Sequence, residues 1–143
     1  KASDAREKEV RGEGVDYTAD LKKLTPEEAA KLPYDLYREG YDYYAQTHAH
    51  PKSTFVYTQS SFMNLMTFDA SVNMDLINVP LLMMAGSQAD TFYLTEKAYA
   101  NATGTSDKEL FLIPGAHHIE TYWKPEYVEQ ELSKLLDFLS TRL

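Results

Sequence analysis

The chain of 143 residues has no cysteine, which excludes disulfides and thiol chemistry and leaves the compartment open. It has no apolar stretch near the roughly 18–20 residues a membrane span needs. It also has no cluster of Lys and Arg. With 22 acidic and 14 basic residues the formal net charge is −8, so a basic face for nucleic acid or anionic membrane is not expected. The first residues, "KASDAREKEV", are charged and helix-like, unlike a signal peptide, and a cytoplasmic location is the expectation. Lys1 stands where an initiator methionine would be, which gives the expectation that the chain begins inside a longer product. Glycine is scarce. The six lie at 12, 14, 40, 86, 104 and 115, and no two of them flank a serine.

What is present suits one domain with a core: 43% of residues are hydrophobic, too many for a disordered chain. Residues 2–11 read as a polar helix broken by "GEG". "LTPEEAAKLP" reads as a short helix with Thr25 as N-cap, Pro26 at the first position and Glu28 completing a capping box. In "YDLYREGYDYYAQT", Tyr34, Tyr37, Tyr41 and Tyr44 recur at helical spacing and predict a packing face with polar tips at water. "SSFMNLMTFDA" predicts a short helix with Phe62, Leu65, Met66 and Phe68 turned inward. The segment 1–75 is thus expected to be mostly helical and cap-like.

From residue 76 the pattern changes. The apolar run Leu81 to Ala85 stops at Gly86 and predicts a strand covered on both faces. A helix of about ten residues follows, closed by Gly104; "KELFLIPG" is a second buried strand. "KPEYVEQELSKLLDFLSTRL" is an amphipathic helix with Val128, Leu132, Leu135, Leu136 and Leu139 on one stripe. Residues 76–143 therefore predict a βαβα unit, an α/β architecture whose sheet needs further strands from elsewhere. In open α/β sheets functional groups sit in loops beyond the carboxyl ends of the strands. Here those loops are "GSQAD", carrying Asp90, and "GAHH", carrying His117 and His118. A carboxylate and an imidazole at the same end of neighbouring parallel strands are placed to hydrogen bond, the carboxylate fixing the tautomer and freeing the other ring nitrogen as a base. A metal site from His48, His50, His117 and His118 is a weak alternative, because His-x-His on a loop lacks an acidic partner at helical spacing.

"VPLLMMAGSQADT" and "KELFLIPGAHHIETYWKPEYVEQELSKLLDFL" resemble the last third of bacterial α/β-hydrolases of the dienelactone-hydrolase-like, YcjY-type group. "TPEEA", "LYREGYDYY" and "SFMNLMTFDA" are similar to that group's segment between nucleophile and acid. The resemblance implies an incomplete domain, the C-terminal portion of an α/β-hydrolase fold, with Asp90 as acid and His118 as base. His117 falls on the variable position before the base, and His117, Tyr122 and Trp123 are pocket neighbours. Trp123 departs from the group's pattern, in which a smaller acidic or amide residue follows the tyrosine. Triad members on this fold run nucleophile, acid, histidine, and no Gly-x-Ser-x-Gly elbow precedes Asp90. The nucleophile is therefore expected on a separate N-terminal part. The reading is a serine hydrolase of esterase type acting on a small acyl substrate without a cofactor. Its partner would be the N-terminal half of the same protein or an exchanged copy. The alternative is a non-catalytic hydrolase-like binding or assembly module.

Overall fold

The computed structural model describes residues 1–53 and 55–142. They fall into two compact units, one of Lys1–Lys31 with Tyr41–Asp69 and one of Leu32–Gly40 with Ala70–Leu143.

In the first unit, helix α1 (Ala2–Val10) ends where Gly12 takes a φ of 72°, a left-handed conformation that glycine adopts without a side-chain clash. The segment after it forms an isolated antiparallel bridge, Tyr17 to Thr58. The amide of Thr18 donates to Tyr57 O at 2.9 Å and that of Gln59 to Asp16 O at 2.8 Å. Helix α2 (Pro26–Ala29) has the expected capping box: Glu28 N donates to Thr25 Oγ1 at 3.3 Å, and Thr25 N to Glu28 Oε2 at 2.8 Å.

The tyrosine stripe is realised differently from expectation. Residues Tyr41–Thr47 form a π-helix with its wider i→i+5 turn, so Tyr41 and Tyr44, three apart, no longer share a face. Tyr41 is buried and donates its hydroxyl to Leu24 O at 3.2 Å, whereas Tyr43 stacks on His48 with ring centroids 4.3 Å apart. Tyr44 packs on Phe55 at 4.6 Å. The short helix α4 (Phe62–Leu65) also departs from its amphipathic reading, since Leu65, Met66 and Phe68 are exposed. Four residues are too few for a helical face to persist, and the chain has left the helix by Phe68.

The second unit contains helix α3 (Asp35–Gly40), strand β1 (Leu81–Gly86), helix α5 (Phe92–Asn101), strand β2 (Lys108–Ile113) and helix α6 (Pro125–Arg142). β1 and β2 pair in parallel, Leu81 opposite Lys108 through Gly86 opposite Ile113. The βαβα order matches the sequence pattern, and the architecture is mixed helix with a small two-stranded parallel sheet. A complete α/β-hydrolase unit is not formed by the described residues. Nor are the strands sealed on both faces: their residues are half-buried, and Leu112 is exposed. The buried residues of this unit include Ile113, Ala116 and Ile119 at the carboxyl end of the pair, Ala102 at the end of α5 and Phe138 on α6.

Gly104 serves a different purpose from the expected cap. Helix α5 ends at Asn101 with Ala102 as its C-cap, and a Cβ on Gly104 would stand 2.2 Å from Asp75 O and 2.6 Å from Ile77 O. The glycine lets two backbones pass. On α6, Phe138 is the buried residue, while Leu132, Leu135, Leu136 and Leu139 of the expected core stripe are exposed. They face no second layer within this unit.

Burial pushes the Glu131 carboxyl of α6 above its ordinary value of 4.5. The folded state then holds that proton more readily than the unfolded chain, so stability falls as pH rises from about 4.5 through the raised value. In the whole protein, Glu131→Gln is expected to increase the urea midpoint at pH 7 and to leave it unchanged at pH 4. An unchanged midpoint at both pH values would contradict a desolvated carboxylate.

Candidate functional site

The parallel pair ends in two loops that lie against each other. Ser87 N donates to Ile113 O at 3.0 Å and Gln88 N to Ala116 O at 2.9 Å, while Gly115 N donates to Ser87 Oγ at 2.9 Å. Gly86 permits this approach, because a Cβ there would meet Ala116 O at 2.3 Å. Gly115 turns the second loop with a φ of 76°.

Asp90 ends the first loop. Its Oδ2 accepts from Leu36 N of α3 at 3.0 Å, and its Oδ1 is buried without a hydrogen-bond partner among the described residues. A buried carboxylate oxygen left unpaired is costly, so such atoms are candidates for function. His118 begins the turn Ile119–Tyr122 and is held at both ring nitrogens by hydroxyls: Nδ1 to Thr91 Oγ1 at 2.8 Å and Nε2 to Tyr122 Oη at 2.6 Å. The expected Asp90–His118 hydrogen bond is therefore not made; the residue after Asp90 supplies the partner instead. Asp90 is committed on one side to α3, and a threonine hydroxyl reaches the imidazole.

His117 has a carboxylate partner. Its Nδ1 lies 2.6 Å from Glu39 Oε1 of α3, and its backbone N donates to Glu120 Oε2 at 2.9 Å. Burial pushes Glu39 up from the ordinary carboxylate value, an effect the hydrogen bond and charge of His117 oppose. Burial also acts to raise Glu120, but hydrogen bonds from Lys124 and from His117 N outweigh it and hold that carboxyl down. Sequence reasoning missed Glu39 altogether, because its partner is 78 positions away and "YREGY" has no motif.

His118, Thr91 and Tyr122 line a pocket of about 250 Å³ with Met84, Phe92 and Leu94, so the imidazole borders an apolar space. Tyr122 and Trp123 are exposed. A larger cleft, about 690 Å³, lies in the first unit beside α1. There Lys8 pairs with Asp16 and Arg11 with Glu13. His48 and His50 belong to the first unit, where His48 Nδ1 meets Thr47 Oγ1 at 2.8 Å and His50 Nδ1 accepts from Lys52 N at 3.1 Å. Among the described residues no group of three or more His, Asp or Glu side chains is placed to hold a metal ion, and no helix is long and apolar enough to cross a membrane.

No protein-family model matches the chain. It is 27% identical over 125 residues to the uncharacterized protein YcjY of Escherichia coli K12, an alignment covering 86% of this chain and 40% of that protein. Its fold is similar to the crystal structure of hypothetical protein PA2218 from Pseudomonas aeruginosa, with a TM-score of 0.77 and 21% identity. That match covers 99% of this chain and 43% of the other. The chain thus spans about two-fifths of the length of each of these two proteins, is homologous to YcjY, and shares the fold of the corresponding portion of the Pseudomonas protein.

Proposed function

We propose that this chain is the C-terminal, acid- and histidine-bearing portion of a serine hydrolase of the α/β type, related to the dienelactone-hydrolase-like group and acting on esters or similar acyl substrates. In this reading Asp90 is the acid and His118 the base, and the nucleophile comes from another segment. The observation that carries it is the buried, unpaired Asp90 Oδ1 at the end of β1, one residue from the Thr91 hydroxyl that holds His118 Nδ1. During turnover the carboxylate takes over Nδ1–H from that hydroxyl. It then fixes the tautomer and stabilises the imidazolium formed when Nε2 accepts the nucleophile's proton. Tyr122 Oη occupies the hydrogen-bonding position at Nε2 that a serine hydroxyl would take, so it must yield to the nucleophile. The apolar wall of Met84, Phe92 and Leu94 suits the hydrocarbon part of an acyl group.

The test is labelling of the whole protein by a fluorophosphonate, expected to be strong and to vanish in His118→Ala. Absence of labelling in the unaltered protein would sink the reading. A second reading, a non-catalytic assembly module, is favoured by the exposed Leu132, Leu135, Leu136 and Leu139 of α6, but it leaves the Asp90 oxygen without a reason.

The partner belongs to the same proposal. In a two-stranded sheet each strand keeps an unpaired edge, and apolar edges invite pairing with another chain. The N-terminal half of the protein, or an exchanged copy, would complete the sheet and cover α6. Expressed by itself, the 143-residue chain is expected to self-associate or to unfold without a sharp transition, and to lack esterase activity. A monomer with cooperative urea unfolding and sustained turnover would overturn this expectation.

A further inference from the structure

The Glu39–His117 pair is not used by the proposed triad, yet it has the geometry that a base-orienting carboxylate needs. Glu39 Oε1 faces Nδ1 at 2.6 Å, the ring is 35% exposed, and its Nε2 has no hydrogen-bond partner among the described residues. His118, by contrast, has a neutral hydroxyl on each nitrogen. A structural clasp for this loop already exists in the bond from His117 N to Glu120. A carboxylate whose second oxygen is buried without a partner among the described residues is a poor choice for adding to that clasp, since a neutral amide would do so without burying charge.

We propose that Glu39 and His117 form a second acid–base centre, in which Glu39 fixes the imidazole as its Nδ1–H tautomer and leaves Nε2 as a proton acceptor for a water or hydroxyl-bearing ligand. The pair sits where its charge is local. The two other carboxylates that bear on Glu39, Asp35 and Glu120, are themselves engaged by Arg38 and Lys124. Glu39 is a positioning residue here and His117 the proton-exchanging one. The inference does not depend on the serine-hydrolase reading, because it requires neither Asp90 nor a nucleophile.

Two-bond nitrogen–proton correlation spectra of the ¹⁵N-histidine-labelled protein decide the matter. Free imidazole favours the Nε2–H tautomer, so a carboxylate accepting from Nδ1–H should reverse the preference. The expected result is an unprotonated Nε2 at His117 at alkaline pH, reverting to Nε2–H in Glu39→Ala. Glu39→Gln, whose carbonyl still accepts from Nδ1–H, should retain the unusual tautomer and so separate orientation from loss of fold. In parallel, diethyl pyrocarbonate should acylate His117 several-fold faster than His118. An Nε2–H tautomer in the unaltered protein would mean that Glu39 is the protonated donor in a structural bond, and overturns the proposal. So would an unprotonated Nε2 that persists in Glu39→Ala, or preferential acylation of His118. A protein that resists fluorophosphonate but shows the Nδ1–H tautomer would refute the hydrolase reading and leave this one intact.

Discussion

His118→Ala is expected, on the proposed hydrolase reading, to lower kcat/KM of the complete protein by about 10³-fold or more, because base, acid and nucleophile of a triad act as one unit. The loss should fall mainly on kcat, since an imidazole bordering an apolar pocket contributes little to ground-state binding. Asp90→Asn should approach the same loss. Its amide cannot stabilise an imidazolium, and with its oxygen held by Leu36 N it would turn its NH₂ to the side where the carboxylate must accept. His117→Ala should cost far less. Thr91→Val is the informative companion: if the threonine hydroxyl only holds His118 until Asp90 takes over, its removal should leave turnover within a few-fold. Steady-state kinetics on a chromogenic ester would check all four variants. Comparable losses from His117→Ala and His118→Ala would mean that neither is uniquely the base, and a collapse in Thr91→Val would place the hydroxyl in the chemistry itself.

The second large effect concerns stability. Gly86→Ala would drive a methyl group to 2.3 Å from Ala116 O and 2.8 Å from its carbonyl carbon, with His117 O at 3.0 Å. These are backbone atoms, so no side-chain rotation relieves the overlap. Overpacking of this kind costs about 1–3 kcal/mol when neighbours can shift. Here the shift must also stretch the bonds Ser87 N to Ile113 O and Gln88 N to Ala116 O. Urea unfolding of the complete protein should show a loss at or above that range, accompanied, on the hydrolase reading, by loss of activity as the two loops part. An unchanged unfolding midpoint would show that the two loops are not packed as described. Ser87→Ala, which removes only the acceptor for Gly115 N, is expected to be much milder.

Both strands and helices α5 and α6 were legible because their signals are local. Short apolar runs closed by glycine mark β1 and β2, and the box of Thr25 with Glu28 marks α2. Position along the chain also brought the Asp90 and His118 loops to the same end of the pair, where they pack together. What could not be read is which side chains meet. Leu36 N reaches Asp90 across 54 positions and Glu39 reaches His117 across 78, both from a six-residue helix with no recognisable motif. The π-helix escaped for a related reason: "YDYYAQT" fits the 3.6-residue period as a string of letters, and only the bond from His48 N back to Tyr43 O reveals the wider turn. Burial was over-read for Leu65, Met66 and the α6 leucines, because an apolar stripe states which face avoids water without supplying the surface that covers it.

The parallel ladder has one more consequence, visible in isotope exchange. Leu81 N donates to Asp107 O and Ser87 N to Ile113 O, and alternation along a strand assigns the amides of Met83 and Ala85 to the same ladder. The amides of Leu82 and Met84 then point to the opposite edge, where β1 has no neighbouring strand among the described residues. Deuterium should enter β1 at every second residue, fast at 82 and 84 and slow at 83 and 85. Any strand that docks on that edge would announce itself by slowing those two amides alone, giving a residue-level footprint of whatever completes the sheet.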